Sequence, residues 1–241
     1  MGANLRRVPR GRWVAGLAAA TAVVLAGCGA GAARDRGPAD GARALADTPA
    51  ASAPSASAPA PSASPTVPVP PVSHRLRMTR EFQTTSYNCA PASGVMSLST
   101  FHIKVRQSAL ARKMRTKYPK GTTGDNAMSA LRGYLAHTPY SLTFDAWPSS
   151  GSTYLFREVS YDVGVLHRAP LVAVWWERLP WNRGIGSRHK TGHIIVAYGY
   201  DQKKRTITVF DPWRPTGGTH TLRASALLKA LQPSGLYYIY T

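Results

Sequence analysis

The side chains able to do chemistry begin with Cys89, in the stretch QTTSYNCAPASG at residues 83–94. Its surroundings predict a helix N-terminus. Pro91 suits a first-turn position, where its missing N–H costs nothing. Val95, Met96 and Leu98 then supply an apolar face running toward Thr100. A thiol at such a terminus is acidified by the macrodipole and by unpaired amides, which makes it more nucleophilic at neutral pH. Gln83, six residues upstream, is an amide donor on the approach to the same helix end. The stretch fits the nucleophile half of a cysteine-dependent acyl-transfer site. It also fits a buried cysteine on a core helix, since a free cysteine often serves as a small hydrophobe.

A thiol nucleophile needs a base, and the chain has seven histidines. His74 borders the Ala/Pro/Ser-rich segment before it, His102 and His137 lie near helix ends, and His220 in a glycine-rich turn. His167 and His189 stand beside arginine or lysine. His193 differs, because it opens the apolar strand GHIIVAYGYD, where a core residue would ordinarily be aliphatic. The runs 193–200 and 206–210 are joined by the polar segment 201–205, which predicts an antiparallel hairpin. For a roughly symmetric turn, facing residue numbers sum to about 404–406, so His193 falls opposite Asp211 or within two residues of it. Facing Cβ atoms in such a pair lie about 4.5–5.5 Å apart and diagonal ones about 7–8 Å. A carboxylate there holds the tautomer and orientation of an imidazole. The alternative is that His193 caps a strand and Asp211-Pro212 starts a turn. No spacing of His or Cys suggests a metal site, and this chemistry requires no cofactor.

The elements that must position these groups follow from periodicity. Residues 105–114 have helical spacing with a basic outer face, and Asp125 is a candidate N-cap for a helix over 126–136. A further helix is expected over 152–166. After it the period changes: 171–176 and 193–200 are apolar runs, 206–210 alternates, and 236–240 closes the chain. Helices followed by strands predict an α+β fold, with N-terminal helices packed on a C-terminal antiparallel sheet. The segment 177–190 is rich in Trp, Arg and Gly. Trp176 and Trp181 are candidates for lining a substrate groove, and equally for core or cover.

The first residues carry a different message. Arg6, Arg7, Arg10 and Arg12 precede an apolar stretch at 13–26 that is too short to span a bilayer comfortably, which is signal-peptide anatomy. It ends in Leu25-Ala26-Gly27-Cys28, which resembles the bacterial lipobox. That resemblance implies cleavage before Cys28, diacylglycerol on its sulfur, and an extracytoplasmic protein anchored to the cell membrane. An ordinary signal peptide with an incidental cysteine is the alternative. With only two cysteines in the chain and one lipidated, Cys89 has no intramolecular partner. A lone thiol outside the reducing cytoplasm is buried or used.

Residues 29–72 are dominated by Ala, Pro, Ser and Gly and cannot bury a core, so a disordered linker is expected. It spans about 35 Å as a flexible coil and up to about 140 Å in a polyproline-like state. The organisation is therefore a signal peptide at 1–27, lipidated Cys28 and linker at 28–72, and one domain at 73–241, expected to act as a monomer. Net charge is +19 from 30 basic and 11 acidic residues; removal of the first 27 leaves 26 basic residues and +15. Such a charge favours anionic surroundings, such as phospholipid headgroups or envelope polymers. Nucleic acid is not an expected partner, since most of the chain lacks a basic helix or an aromatic–basic sheet motif and the export signal argues against it.

Taken together, these residues resemble a papain-like cysteine peptidase of the bacteriocin-processing type, in a stand-alone secreted form. The resemblance covers roughly residues 83–212. It rests on Gln83 with Cys89, the Cys-x-Pro-Ala-Ser run at 89–93, Gly192-His193 with its apolar strand, and Asp211-Pro212. It implies Cys89 as nucleophile, His193 as general base, Asp211 as its orienter and Gln83 as oxyanion donor, acting on a peptide or protein substrate. Two features depart from the pattern. Ala90 stands where a glycine commonly follows the nucleophile, and the transporter fused to leader-processing peptidases is missing, so double-glycine leaders are not the expected substrate. Two other readings share these residues: a catalytically silent module binding peptides or cell wall, and an amidase or transpeptidase acting on wall material.

Overall fold

The computed structural model describes residues 68–145, 151–185 and 190–240. The chain divides into two units, Met1–Pro61 and Ser62–Thr241, and all described residues lie in the second. The apolar stretch 13–26, Cys28 and most of the linker therefore lie outside the described residues, as do His189 and part of the Trp-rich loop.

A short strand β1 (Ser73–Arg75) precedes three helices, α1 (Cys89–Ser99), α2 (Gln107–Lys113) and α3 (Gly124–Leu135). Then come β2 (Ser141–Asp145), α4 (Gly151–Gly164), β3 (Leu171–Trp175), β4 (Gly192–Asp201), β5 (Thr206–Asp211), β6 (Gly218–Arg223), α5 (Ala224–Ala230) and β7 (Leu231–Tyr240). One antiparallel sheet runs in the order β2-β7-β3-β4-β5-β6, and β1 pairs with the far end of β4. The fold is α+β.

The helices pack on the antiparallel sheet as expected, and they cover both of its faces. Leu171, Ala173, Val196 and Tyr198 pack with α1 and α3, through Met96, Leu98, Met128 and Leu131. Their neighbours Val172, Val174, Ile195 and Ala197 pack with α4 and α5, through Leu155, Val159, Val163 and Leu227. Burial on both faces is why β3 and β4 read as continuous apolar runs instead of alternating ones. Helix α2 joins the first layer at close range: a Cβ on Gly94 of α1 would meet Leu110 Cδ2 at 2.7 Å, so glycine there lets the two helices touch.

Helix α3 begins two residues before the expected start. Thr123, not Asp125, is the N-cap, with its hydroxyl accepting from Asn126 N–H at 3.3 Å, and Asp125 sits in the first turn. Strands β1, β2 and β6 and helix α5 did not stand out in the sequence. The ordered contacts also start earlier than Ser73. Tyr200 donates its hydroxyl to Pro71 O at 2.7 Å, and Gln202 N–H donates to Val72 O at 2.8 Å.

Asp162 on α4 is almost wholly buried. Its Oδ2 accepts Ile239 N–H at 3.0 Å, and its Oδ1 has no partner among the described residues. Burial pushes its carboxyl well above the usual range, against the pull of the Ile239 bond and with the help of nearby Glu158. A folded-state pKa above the unfolded one stabilises at low pH, and that contribution is lost as pH rises toward the folded value. Asp162→Asn is expected to raise Tm by a few degrees at pH 8, where about 1 kcal/mol corresponds to about 2–4 °C for a chain of this size. The difference should close as pH falls to 4, as measured by thermal denaturation across that range.

Candidate active site

Cys89 is the first residue of α1 and lies part-exposed on the wall of a cleft of about 590 Å³. Pro91 occupies the first turn as its chemistry requires. The helix is buried along almost its whole length and stitched to the sheet by hydroxyls. Ser93 Oγ donates to Ile194 O at 2.8 Å and Ser97 Oγ to Ala169 O at 2.7 Å. Ser93 lies one turn beyond the thiol, so its bond to Ile194 brings Cys89 against His193.

His193 pairs with Val174 of β3 and is 5% exposed. Across the β4–β5 hairpin Val196 faces Phe210 and Ala197 faces Val209, a sum of 406; a bulge at Tyr198 shifts the register nearer the turn. Continued to the strand ends, this register puts Asp211 diagonally two positions from the partner of His193, at the limit of the expected range. The imidazole closes the gap, with Nε2 donating to Asp211 Oδ1 at 2.6 Å. The other ring nitrogen is thereby left for the Cys89 sulfur, to which His193 is electrostatically coupled.

Each charge depends on the others. Burial disfavours the imidazolium, but its hydrogen bonds to Asp211 and Cys89 and their negative charges outweigh that and raise its pKa to about 10. Burial likewise pushes the thiol up. The hydrogen bond and charge of His193, with backbone groups of Ile194 and Ala90, bring it net below its ordinary value. Asp211 is fully buried, yet its carboxyl stays low because His193, Trp213 N–H and the Trp181 indole all donate to it. The arrangement can hold a thiolate–imidazolium pair at neutral pH.

Trp176 lines the cleft, as expected of a groove residue. Trp181 goes elsewhere. Its Nε1 donates to Asp211 Oδ2 at 2.9 Å, and its ring stacks flat on His220 at 3.8 Å. The indole's polar edge is used behind the carboxylate, where a buried Trp N–H must find an acceptor. Trp213 N–H takes Oδ1 at 2.9 Å, so both carboxylate oxygens are held from behind. Neither tryptophan is spaced from Asp211 in a way that signals these roles in advance.

Gln83 lines the same cleft, and its backbone N–H donates to Pro212 O at 2.9 Å, tying the approach to α1 to the segment after Asp211. One of its two amide protons goes to Thr85 O at 2.7 Å, and its Oε1 is buried without a partner among the described residues. Gln107 of α2 secures this lead-in, accepting from Thr84 N–H and Oγ1 at 2.9 Å each and donating to Glu81 and Phe82 O. On the opposite wall Gln232 Nε2 donates to Val174 O at 2.6 Å and packs over Gly192, where a Cβ would lie 3.2 Å from it. Gln107 and Gln232 carried no signal in the sequence, since each acts through a distant backbone.

A helix-borne thiol facing a strand-borne imidazole and carboxylate across a cleft is the constellation of a cysteine hydrolase. The chain belongs to the Peptidase_C39 like family, whose profile matches residues 75–233, and it is thus a peptidase-like hydrolase by family. Solved structures with a similar fold include a double glycine motif protease from an AMS/PCAT transporter in complex with a leader peptide. It is 14% identical over 69% of this chain and 91% of its own, with a TM-score of 0.45. The peptidase domain of Streptococcus ComA, a bifunctional ABC transporter, is 15% identical over 69% of this chain and 96% of its own (TM-score 0.47). A C39-like peptidase from Bacillus anthracis is 15% identical over 70% and 98%, with a TM-score of 0.48. No curated protein matches the chain.

Trp181→Phe keeps a ring against His220 but removes one donor to Asp211. Its expected effect is a rise of the Asp211 carboxyl toward its ordinary value, since the indole is one of the groups that lower it, read by NMR titration of the carboxyl. Acylation of Cys89 should slow by about tenfold, the scale of a hydrogen bond to a charged group.

Proposed function

We propose that this protein is an extracytoplasmic cysteine peptidase, anchored to the cell membrane by lipid on Cys28, that cleaves peptide or amide bonds with Cys89, His193 and Asp211. The observation that carries this reading is the buried 2.6 Å contact of His193 with Asp211, with Cys89 on the other side of the ring at the mouth of a cleft.

In the reaction the Cys89 thiolate attacks the carbonyl carbon, and the new oxyanion is held by the Cys89 backbone N–H, a helix-terminal donor without an intrahelical partner. The second amide proton of Gln83 is the other donor. The tetrahedral adduct collapses as the His193 imidazolium gives its proton to the leaving amine, which departs and leaves a thioester. Neutral His193 then takes a proton from water, whose oxygen attacks the thioester; collapse releases the carboxylic acid product and regenerates the thiolate. Asp211 holds the ring throughout with Nε2–H toward itself. A peptide substrate suits the elongated cleft and the family.

The test is the pH dependence of Cys89 alkylation by a small reagent such as chloroacetamide. In the wild type the rate is expected to stay high well below pH 9 and to fall only below the lowered thiol pKa. In His193→Ala the largest lowering influence is gone while burial remains, so the rate should fall tenfold per pH unit from pH 9 downward. Identical profiles would remove the catalytic reading and leave a binding module. The anchor has its own test: Cys28→Ser should move the protein from the membrane fraction to the soluble one without changing the alkylation profile.

A further inference from the structure

Between Glu81 and Asp125 the chain has no acidic residue. The basic residues of this stretch all lie at exposed positions. Helix α2 turns Gln107, Leu110 and Met114 inward, leaving Arg106, Arg112, Lys113 and Arg115 exposed. The chain then reverses in a tight hairpin, with Lys117 and Gly121 exchanging backbone hydrogen bonds of 3.0 and 2.7 Å. Lys117, Tyr118, Pro119 and Lys120 are all exposed at its tip, and Tyr118 is 77% exposed, unusual for an aromatic ring.

This tip is the lip of the cleft. Pro119, Lys120 and Gly121 line it, and Tyr118 packs edge-on against Tyr87, another lining residue, at 5.7 Å. Lys113 lies over the Tyr134 ring at 5.2 Å, and no ion pair reaches any of these cations among the described residues. The opposite wall adds Lys190. The one carboxylate lining the cleft among the described residues, Glu177, is occupied by Thr191 N–H at 2.9 and 3.0 Å. A row of uncompensated cations thus runs along α2 and into the mouth of the site, where it raises the local concentration of anions.

We infer that this face, from Arg106 along α2 to Lys120, docks an acidic stretch of the peptide substrate and feeds the adjoining segment into the cleft. The inference rests on the peptidase reading and adds the substrate's charge to it. A peptide is favoured over a lipid surface because the same hairpin carries the charges and forms the lip. A flat membrane laid on it would cover the cleft, whereas an extended chain can lie along α2 and still enter.

The experiment uses two chloroacetyl peptides that differ only in the tail beyond a glycine spacer, hexaglutamate or hexaglutamine. Labelling of Cys89 is followed by intact mass. In wild type at low salt the acidic peptide should label at least tenfold faster. The ratio should collapse toward one at high salt, as screening requires, and in the double variant Arg112→Glu/Lys117→Glu. The matched reversal Lys203→Glu/Lys204→Glu, at the β4–β5 turn roughly 25 Å along the strand from His193, should leave the ratio unchanged. Three results would overturn the proposal: a ratio near one in wild type, an equal collapse in the Lys203/Lys204 pair, or abolition of the ratio by phosphatidylglycerol vesicles but not phosphatidylcholine ones, which would make this a membrane-binding face. Tail-less chloroacetamide labels Cys89 in every variant, so loss of the docking surface is read separately from loss of the activated thiol.

Discussion

The site turns on burying a charge pair that water would otherwise screen. His193 is nearly inaccessible and Asp211 wholly so, and an unpartnered charge at either position would be costly. The pair persists because both carboxylate oxygens are hydrogen-bonded, Oδ1 by His193 Nε2 and Trp213 N–H and Oδ2 by the Trp181 indole. With the carboxylate so held, its hydrogen bond and charge favour the imidazolium, whose other nitrogen is left for Cys89. The thiol's acidity is thus a property of the whole line, and the helix terminus contributes only part of it.

That line crosses the two halves of the fold. Cys89 comes from a buried helix on one face of the sheet, whereas Asp211 and Trp181 lie toward the layer of α4 and α5. The parity of β4 sends Ile194 to the first layer and Ile195 to the second, so an imidazole at the strand's open end can meet partners from both. Polar links brace this crossing: Ser93 to Ile194 and Gln83 N–H to Pro212 join the α1 side to the strands, and Gln107 holds the lead-in before α1. None touches the reacting atoms, yet each sets a distance on which the chemistry depends.

The cations of α2 have a different relation to the site. They lie outside the packed core and contribute little to holding the fold, since exposed charges interact weakly with one another through water. Beyond α2 the chain continues to Lys120, which lines the cleft that also holds Cys89. The hairpin at Lys117–Gly121 brings this run of basic residues to the cleft.

Composition and spacing alone carried the α+β class, the α1 terminus under Cys89, and the β4–β5 hairpin that brings His193 near Asp211. These are local: a proline in a first turn, an apolar run and a short polar turn impose their geometry on near neighbours in sequence. The strands β1 and β6 and helix α5 were illegible because their residues are mostly polar or short-ranged, and tertiary pairing alone makes them regular. Trp181 stayed open between groove and cover for the same reason. A tryptophan in a loop has the same composition whether it faces substrate or a carboxylate 30 residues away, and only packing decides which. The register of the hairpin shows the boundary most clearly. Turn length limited Asp211 to within two residues of the partner of His193, and the bulge at Tyr198, a product of how the strands twist and pack, selected the diagonal.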